Sequence, residues 1–196
     1  MSRWKRMAGV KRARVEEAQS TPPDRIIREI PLIERYSRHN ESEDVRFRTY
    51  LKVRLDQTSE ETDAIVRKTT DEIWSQIDCT KCAHCCKTMQ VAVDATDVKR
   101  LAARLGITPQ KFSRRYTKVD EYRERWFAKS PCEFLGEDNC CTIYEDRPKA
   151  CRDFPYLHSD HFVGRTMMMI SNTSRCPIVF NVWQALKVRL GFRRSR

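Results

Sequence analysis

Four cysteines fall within eight residues, in the order Cys79-x2-Cys82-x2-Cys85-Cys86. Disulfide geometry fixes the separation and direction of each Cβ, so bridges closed inside so short a stretch would be strained. Thiolates at two-residue gaps can instead turn three sulfurs toward one centre. That spacing holds cubane iron–sulfur clusters, with a distant Cys-Pro supplying the fourth ligand, and Cys176-Pro177 is a distant Cys-Pro. A CxxC knuckle also suits tetrahedral zinc. The pattern points to a thiolate metal site and leaves zinc, iron and a 4Fe–4S cluster open.

The whole chain agrees with metal over disulfide. It has nine cysteines, an odd number, and none before Cys79. Disulfide scaffolds show an even count in short secreted chains, whereas gathered thiolates belong to reducing compartments. With no apolar segment after the basic N-terminus, the expected location is cytoplasmic. No apolar run approaches the roughly 20 residues of a membrane span, so no membrane span is expected.

Further cysteines follow in recognisable settings: Pro131-Cys132-Glu133-Phe134-Leu135, then Cys141-Thr142-Ile143-Tyr144-Glu145-Asp146-Arg147-Pro148, then Cys151-Arg152-Asp153-Phe154-Pro155. Taken in order with the first cluster and Cys176-Pro177, these motifs resemble the YkgJ-like cysteine-cluster family, described by zinc or iron chelation. The resemblance covers about residues 79–177, half the chain. It places the family's eight cysteines on Cys79, Cys82, Cys85, Cys86, Cys132, Cys141, Cys151 and Cys176. Cys140 is surplus, which accounts for the odd count. Where the family usually has Gly, this chain has Ala83, and Ala resists positive φ. The resemblance implies metal chelation and supplies no reaction. Two readings follow: a cysteine-rich metal-binding module, or an iron–sulfur redox enzyme or relative of the protein-lysine methylases, which share a similar signature. Only five glycines are present, which argues against a Gly-rich nucleotide loop.

Near the expected ligands, Arg147 and Arg152 could lower the net charge of the site or donate hydrogen bonds to sulfur. They could equally pair with Glu145, Asp146 or Asp153. His84 is read as a loop residue more than as a ligand, and His158, Asp160 and His161 as an ordinary polar loop.

The net charge is +11, from 38 Lys and Arg against 27 Asp and Glu. Residues 1–14 hold six of these cations and residues 187–196 five, with no acid in either segment, so residues 15–186 balance at 27 against 27. A nucleic-acid-binding domain is expected to carry a basic face on its folded body. Here the ends are basic, which implies at most weak nucleic-acid contact through the tails. The expected partner is an unidentified protein or small molecule.

The predicted fold is mainly α with short strands and irregular metal-bound loops, in a small single domain. A basic disordered tail is expected over 1–23, an N-terminal helical extension over 24–78, a cysteine-cluster metal-binding domain over 79–190 and a basic tail over 191–196. Pro31 and the polar run from His39 to Asp44 are expected to break the extension. Ser59 is the expected N-cap of a helix with Ile65, Thr69, Ile73 and Trp74 on one face. Val91 and Val93 read as a short strand. Asp94 or Thr96 caps a helix lined by Val98, Leu101, Ala102 and Leu105 and closed at Gly106. Thr108-Pro109 opens another with Phe112 and Tyr116 on one face. Val163 to Ile170 reads as a strand with alternate methionines buried. Pro177 starts a last helix with Val179, Trp183, Leu186 and Leu190 as its apolar stripe and Gly191 as its end.

Overall fold

A computed structural model describes residues 26–193. The tail expected at 1–23 and residues 194–196 of the C-terminal tail lie outside the described residues. The described chain is mainly helical, as predicted. Its helices are α1 (Ile30–His39), α2 (Glu41–Val53), α3 (Ser59–Trp74), α4 (Cys79–Cys82), α5 (His84–Thr88), α6 (Ala95–Arg104), α7 (Pro109–Tyr116), α8 (Lys149–Asp153), α9 (Thr166–Thr173) and α10 (Pro177–Arg189). Strands β1 (Thr117–Val119) and β2 (Arg125–Phe127) follow α7, and short 3-10 turns occupy Tyr144–Asp146 and Phe162–Arg165. The chain divides into two compact units. One joins the residues up to Ile77 with those from Pro155 onward, and the other is Asp78–Phe154. Residues 79–190 therefore contribute to both.

In the first unit α10 is buried on nearly every side, from Pro177 to Trp183 and again at Ala185 to Lys187. A helix apolar all round belongs inside a core. It packs on α3, α9 and α1. Trp183 lies edge-on to Phe47 with centroids 4.9 Å apart. Pro31 sits in the first turn of α1 instead of breaking a helix, where its missing N–H costs nothing. The N-cap of α3 is Thr58, one residue before the expected Ser59. Its hydroxyl accepts from the Glu61 amide and the Glu61 carboxylate accepts from the Thr58 amide, a capping box.

One expectation is corrected here. Val163–Ile170 is a 3-10 turn running into α9, not a strand, with Met169 buried and Met167 and Met168 exposed. Short apolar runs do not distinguish the two periods. Lys187 and Arg189, counted above with the basic C-terminal end, lie in the last turn of α10 and are buried there. Lys187 Nζ lies 2.7 Å from Glu43 and 2.6 Å from Asp44. The Trp183 indole donates to the same Asp44 carboxylate at 2.9 Å. Burial pushes the Asp44 carboxyl above its usual value, and Lys187 and Trp183 pull against that. Arg189 donates to the Thr69 hydroxyl at 2.9 Å and pairs with Glu72.

The second unit is built on α6 and α7, joined by Leu105–Thr108. Asp94 caps α6 by a capping box with Asp97, and Thr108 caps α7, with Pro109 at its start. Gly106 turns the chain at φ +65°. Strands β1 and β2 pair antiparallel, Thr117 with Phe127 and Lys118 with Trp126. The segment expected as a strand at Val91 to Val93 contributes a bridge from Ala92 to Trp126. Val93, Val98, Leu101, Ala102, Phe112, Phe127, Phe134 and Ile143 form the core.

Lys187 is the counter-charge of buried Asp44 and of partly buried Glu43, and removing one partner of a buried set leaves uncompensated charge. Lys187→Met is expected to lower stability by about 3–5 kcal/mol, read as a fall in the denaturant midpoint.

Candidate metal centre

The first cysteine cluster is shaped by two single-turn helices set at an angle. Asp78 caps α4, its carboxylate accepting from the Thr80 amide at 2.9 Å and the Thr80 hydroxyl at 2.6 Å. The chain then turns at Ala83, which adopts φ +47°, ψ 17°. The Ala83 amide closes α4 on the Cys79 carbonyl at 2.8 Å, and the Ala83 carbonyl accepts from Lys87 at 3.1 Å to open α5. The left-handed turn that the family pattern assigns to Gly is thus kept by a buried Ala. A non-glycine residue held there costs on the order of 1–3 kcal/mol.

The second stretch docks onto the first through its backbone. The Cys132 amide donates to the Cys86 carbonyl at 2.9 Å. From there the chain makes a narrow loop: Thr142 donates to Phe134 at 2.9 Å and Gly136 to Cys140 at 2.8 Å. A Cβ on Gly136 would stand 3.2 Å from the Cys140 carbonyl and 2.7 Å from the Asp138 carboxylate, so a side chain there would displace the Asp138 carboxylate and press on the Cys140 carbonyl. Cys132 and Cys141 rest against the hydrophobic core beneath.

The third stretch is held by α6. Buried Asp97 accepts from the Lys149 amide at 3.2 Å and pairs with Arg100. The Arg100 guanidinium donates in turn to the carbonyls of Asp146 at 3.3 Å and Arg147 at 3.1 Å. Arg104 adds an ion pair to Asp146 at 3.3 Å. These contacts fix the start of α8, where the Cys151 amide donates to Pro148 at 2.9 Å. Asp97 and Arg100 position the site without touching a thiol, and the sequence reading missed both in this role. Their one sequence signal, the Asp94-x-x-Asp97 capping box, reads as helix capping alone.

Cys86 is the point where these stretches meet. Its charge raises the thiols of Cys79, Cys132, Cys141 and Cys151. Cys82 acts on Cys79, and Cys132 and Cys141 act on Cys151. The Cys85 sulfur lies 3.9 Å from that of Cys86. This hydrogen bond, helped against burial by Arg147 and Lys87, lowers the Cys86 thiol to about 7. Burial comes first among the causes that raise the others, and it pushes Cys151 up to about 12. Arg147 opposes the rise at Cys79, Cys141 and Cys151. Its guanidinium stacks 3.8 Å from the Tyr144 ring centre and donates to the Tyr144 carbonyl at 3.2 Å. Of the two candidate arginines, Arg147 is therefore the cation of the cluster. Arg152 donates to the Arg147 carbonyl instead.

All nine cysteines are thiols and none is bridged. Seven of the eight expected ligands lie in the Asp78–Phe154 unit, and Cys176 is buried in the other unit, at the N-terminus of α10. Cys140 is exposed; desolvation and the carboxylates of Asp138 and Asp78 raise its thiol. His84 is half-buried at the start of α5. His158 pairs with Asp71 at 2.8 Å and Asp160 with Arg67 at 2.8 Å, while the His161 amide donates to Asp63. Among the described residues no three His, Cys, Asp or Glu side chains are already grouped as ligands of an ion. The donor chemistry still fits a soft metal: reduced sulfurs drawn from three stretches, most of them half-buried, with the cations Arg147 and Lys87 nearby.

Comparison with known families bears on the same residues. The CxxCxxCC family, described as "Putative zinc- or iron-chelating domain", matches residues 78–177. The chain belongs to this family. The matched segment takes in the whole Asp78–Phe154 unit and runs to Pro177 at the start of α10. No curated protein and no solved structure matches the chain.

Thiolate is the nucleophilic form, so alkylation reads the Cys86 environment directly. In metal-free protein with limiting iodoacetamide, Cys86 is expected to label first, with a half-point near pH 7. Cys85→Ala is expected to move that half-point up toward the ordinary thiol value of 9.0; mass spectrometry of the labelled peptides measures both.

Proposed function

We propose that the protein is a thiolate metal-binding module. Zinc or iron is held by Cys79, Cys82, Cys85, Cys86, Cys132, Cys141 and Cys151. The observation that carries this reading is the match of residues 78–177 to a zinc- or iron-chelating family, and the electrostatic coupling of unbridged thiols from three stretches around Cys86 supports it. Neighbouring thiols whose pKa is raised are a poor surface on their own: ionised they repel, and protonated they bury weakly bonding S–H groups. A divalent ion takes the protons' place and removes the repulsion. In zinc-finger peptides such binding is worth about 10–16 kcal/mol, comparable to the stability of a domain. Here the second unit has its own apolar core, so the ion ties cysteine loops to a scaffold that α6 and α7 already supply. Arg147 offsets part of the negative charge that remains. A reducing compartment keeps the thiols available.

Anaerobic purification followed by elemental analysis and an absorption spectrum tests the reading. Bound zinc in colourless protein, or iron with visible sulfur-to-iron charge transfer, supports it. Protein that holds neither metal, and takes up neither on reconstitution, overturns it. Cys86→Ser and Cys132→Ser are each expected to lose most of the bound metal, whereas Cys140→Ser retains it.

Because thiols must lose protons to bind, thiols whose pKa is raised above the ordinary value make metal uptake proton-releasing. Affinity is expected to rise at least tenfold between pH 6 and pH 8, an order-of-magnitude figure for release of one or more protons, measured by chelator competition. Chelator treatment is expected to lower the melting temperature of the full chain.

A further inference from the structure

The balanced charge of the folded body conceals a local excess. Residues 98–119 carry Lys99, Arg100, Arg104, Lys111, Arg114, Arg115 and Lys118 and no carboxylate. Arg100 and Arg104 are spent inside the unit, on Asp97 and Asp146. Lys99, Lys111, Arg114, Arg115 and Lys118 are exposed, and among the described residues none of the five forms an ion pair. Some cations elsewhere, Lys81, Lys129, Lys149 and Arg67, each have a carboxylate partner, whereas exposed Lys52, Arg54 and Lys68 have no ion pair among the described residues but lie in a segment that also carries acids. Charge repulsion across a helix face with no acid is a cost to the fold, and an anionic ligand removes it.

The backbone beneath these cations has a definite form. Helices α6 and α7 pack together through Val98, Leu101, Ala102 and Phe112 and are joined by a short turn at Gly106. Two packed helices joined by four residues that include a glycine share the connection found in helix–turn–helix units. The second helix buries Phe112 on one side, with Tyr116 half-buried beside it. Its other side presents Gln110, Lys111, Arg114 and Arg115, all exposed. An α-helix with its side chains is about 10–12 Å across, which the ~12 Å width of the B-DNA major groove admits, and the 8 residues of α7 give just over two turns to lie in it. Lys and Arg match guanine O6 and N7, and Gln matches adenine N6 and N7. Arg115 lies 5.3 Å over the Tyr116 ring and, with Lys99 and Lys118, is placed for phosphates, which fix register without reading sequence.

The geometry points to a B-form DNA duplex as the ligand of this face, with the first turns of α7 in the major groove. The assignment goes beyond metal binding and does not depend on which metal is held. It also differs from tail-mediated contact, because the cations belong to the folded unit. An A-form RNA duplex is a poorer fit, since its major groove is too narrow for side chains to read.

The test is fluorescence anisotropy of a labelled DNA duplex of roughly 20 base pairs with the full chain, at several salt concentrations. The combined variant Lys111→Glu, Arg114→Glu, Arg115→Glu is expected to weaken binding at least tenfold. It also flattens the slope of log K against log salt, by about 0.9 for each phosphate that is no longer neutralised. The control Lys52→Glu, Arg54→Glu, Lys68→Glu makes the same charge change at exposed positions of the other unit and is expected to bind as the parent does. Should the first variant lose its helical circular dichroism, the Gln substitutions at the same three positions carry the same expectation with a smaller loss. The proposal is overturned if the parent does not bind duplex DNA, or if the control loses as much as the α7 variant. Equal binding of duplex RNA, or tighter binding of phosphatidylserine vesicles, also overturns it.

Discussion

Thiols brought close together in a half-buried place cannot all ionise, and the architecture of the Asp78–Phe154 unit depends on how that constraint is met. At Cys86 the hydrogen bond from Cys85 and the charge of Arg147 favour the thiolate. At Cys151, Cys132 and Cys141 burial and the neighbouring thiols favour the proton. The metal-free cluster is thus polarised, with one sulfur inclined to ionise among others that resist. A cation entering such a cluster meets a ready first ligand, and its own charge then makes the later deprotonations easier.

The loops bearing these sulfurs have little regular structure, so their order comes from elsewhere. α6 supplies it twice. Its inner residues Val98, Leu101 and Ala102 build the core on which Cys132 and Cys141 rest. Its Asp97 and Arg100 hold the backbone at Asp146 to Lys149, just before Cys151. The same helix, with α7, turns a carboxylate-free run of cations outward. The cysteine loops and this run of cations therefore share one small scaffold.

The other unit uses buried charge in another way. Lys187 and Arg189 lie deep beside Asp44, Glu43, Glu72 and Thr69. Each would be costly alone, and each is placed where a carboxylate from α2 or α3 can meet it. Such pairs are directional, so they select how α10 seats among its neighbours as well as whether it does.

Much of this was legible in the chain itself. Cysteine spacing announced a thiolate cluster because sulfur ligands close in sequence need no distant partner to be recognised. The caps at Asp94 and Thr108, the Pro at 109 and the glycine at 106 marked α6 and α7, because capping and left-handed turns are local chemistry. Three readings that the sequence left open or missed needed the tertiary structure. Arg147 and Arg152 are indistinguishable by position, yet only the fold turns Arg147 toward the thiols. The carboxylate partners of Lys187 and Arg189 were missed because they are more than 100 residues away in the chain. The Met167–Ile170 run reads equally as strand or helix until packing chooses. The residues alone determined which chemistry the chain carries; the tertiary structure decided which charges face one another, since Coulomb and hydrogen-bond energies depend on distance in space and not on separation along the chain.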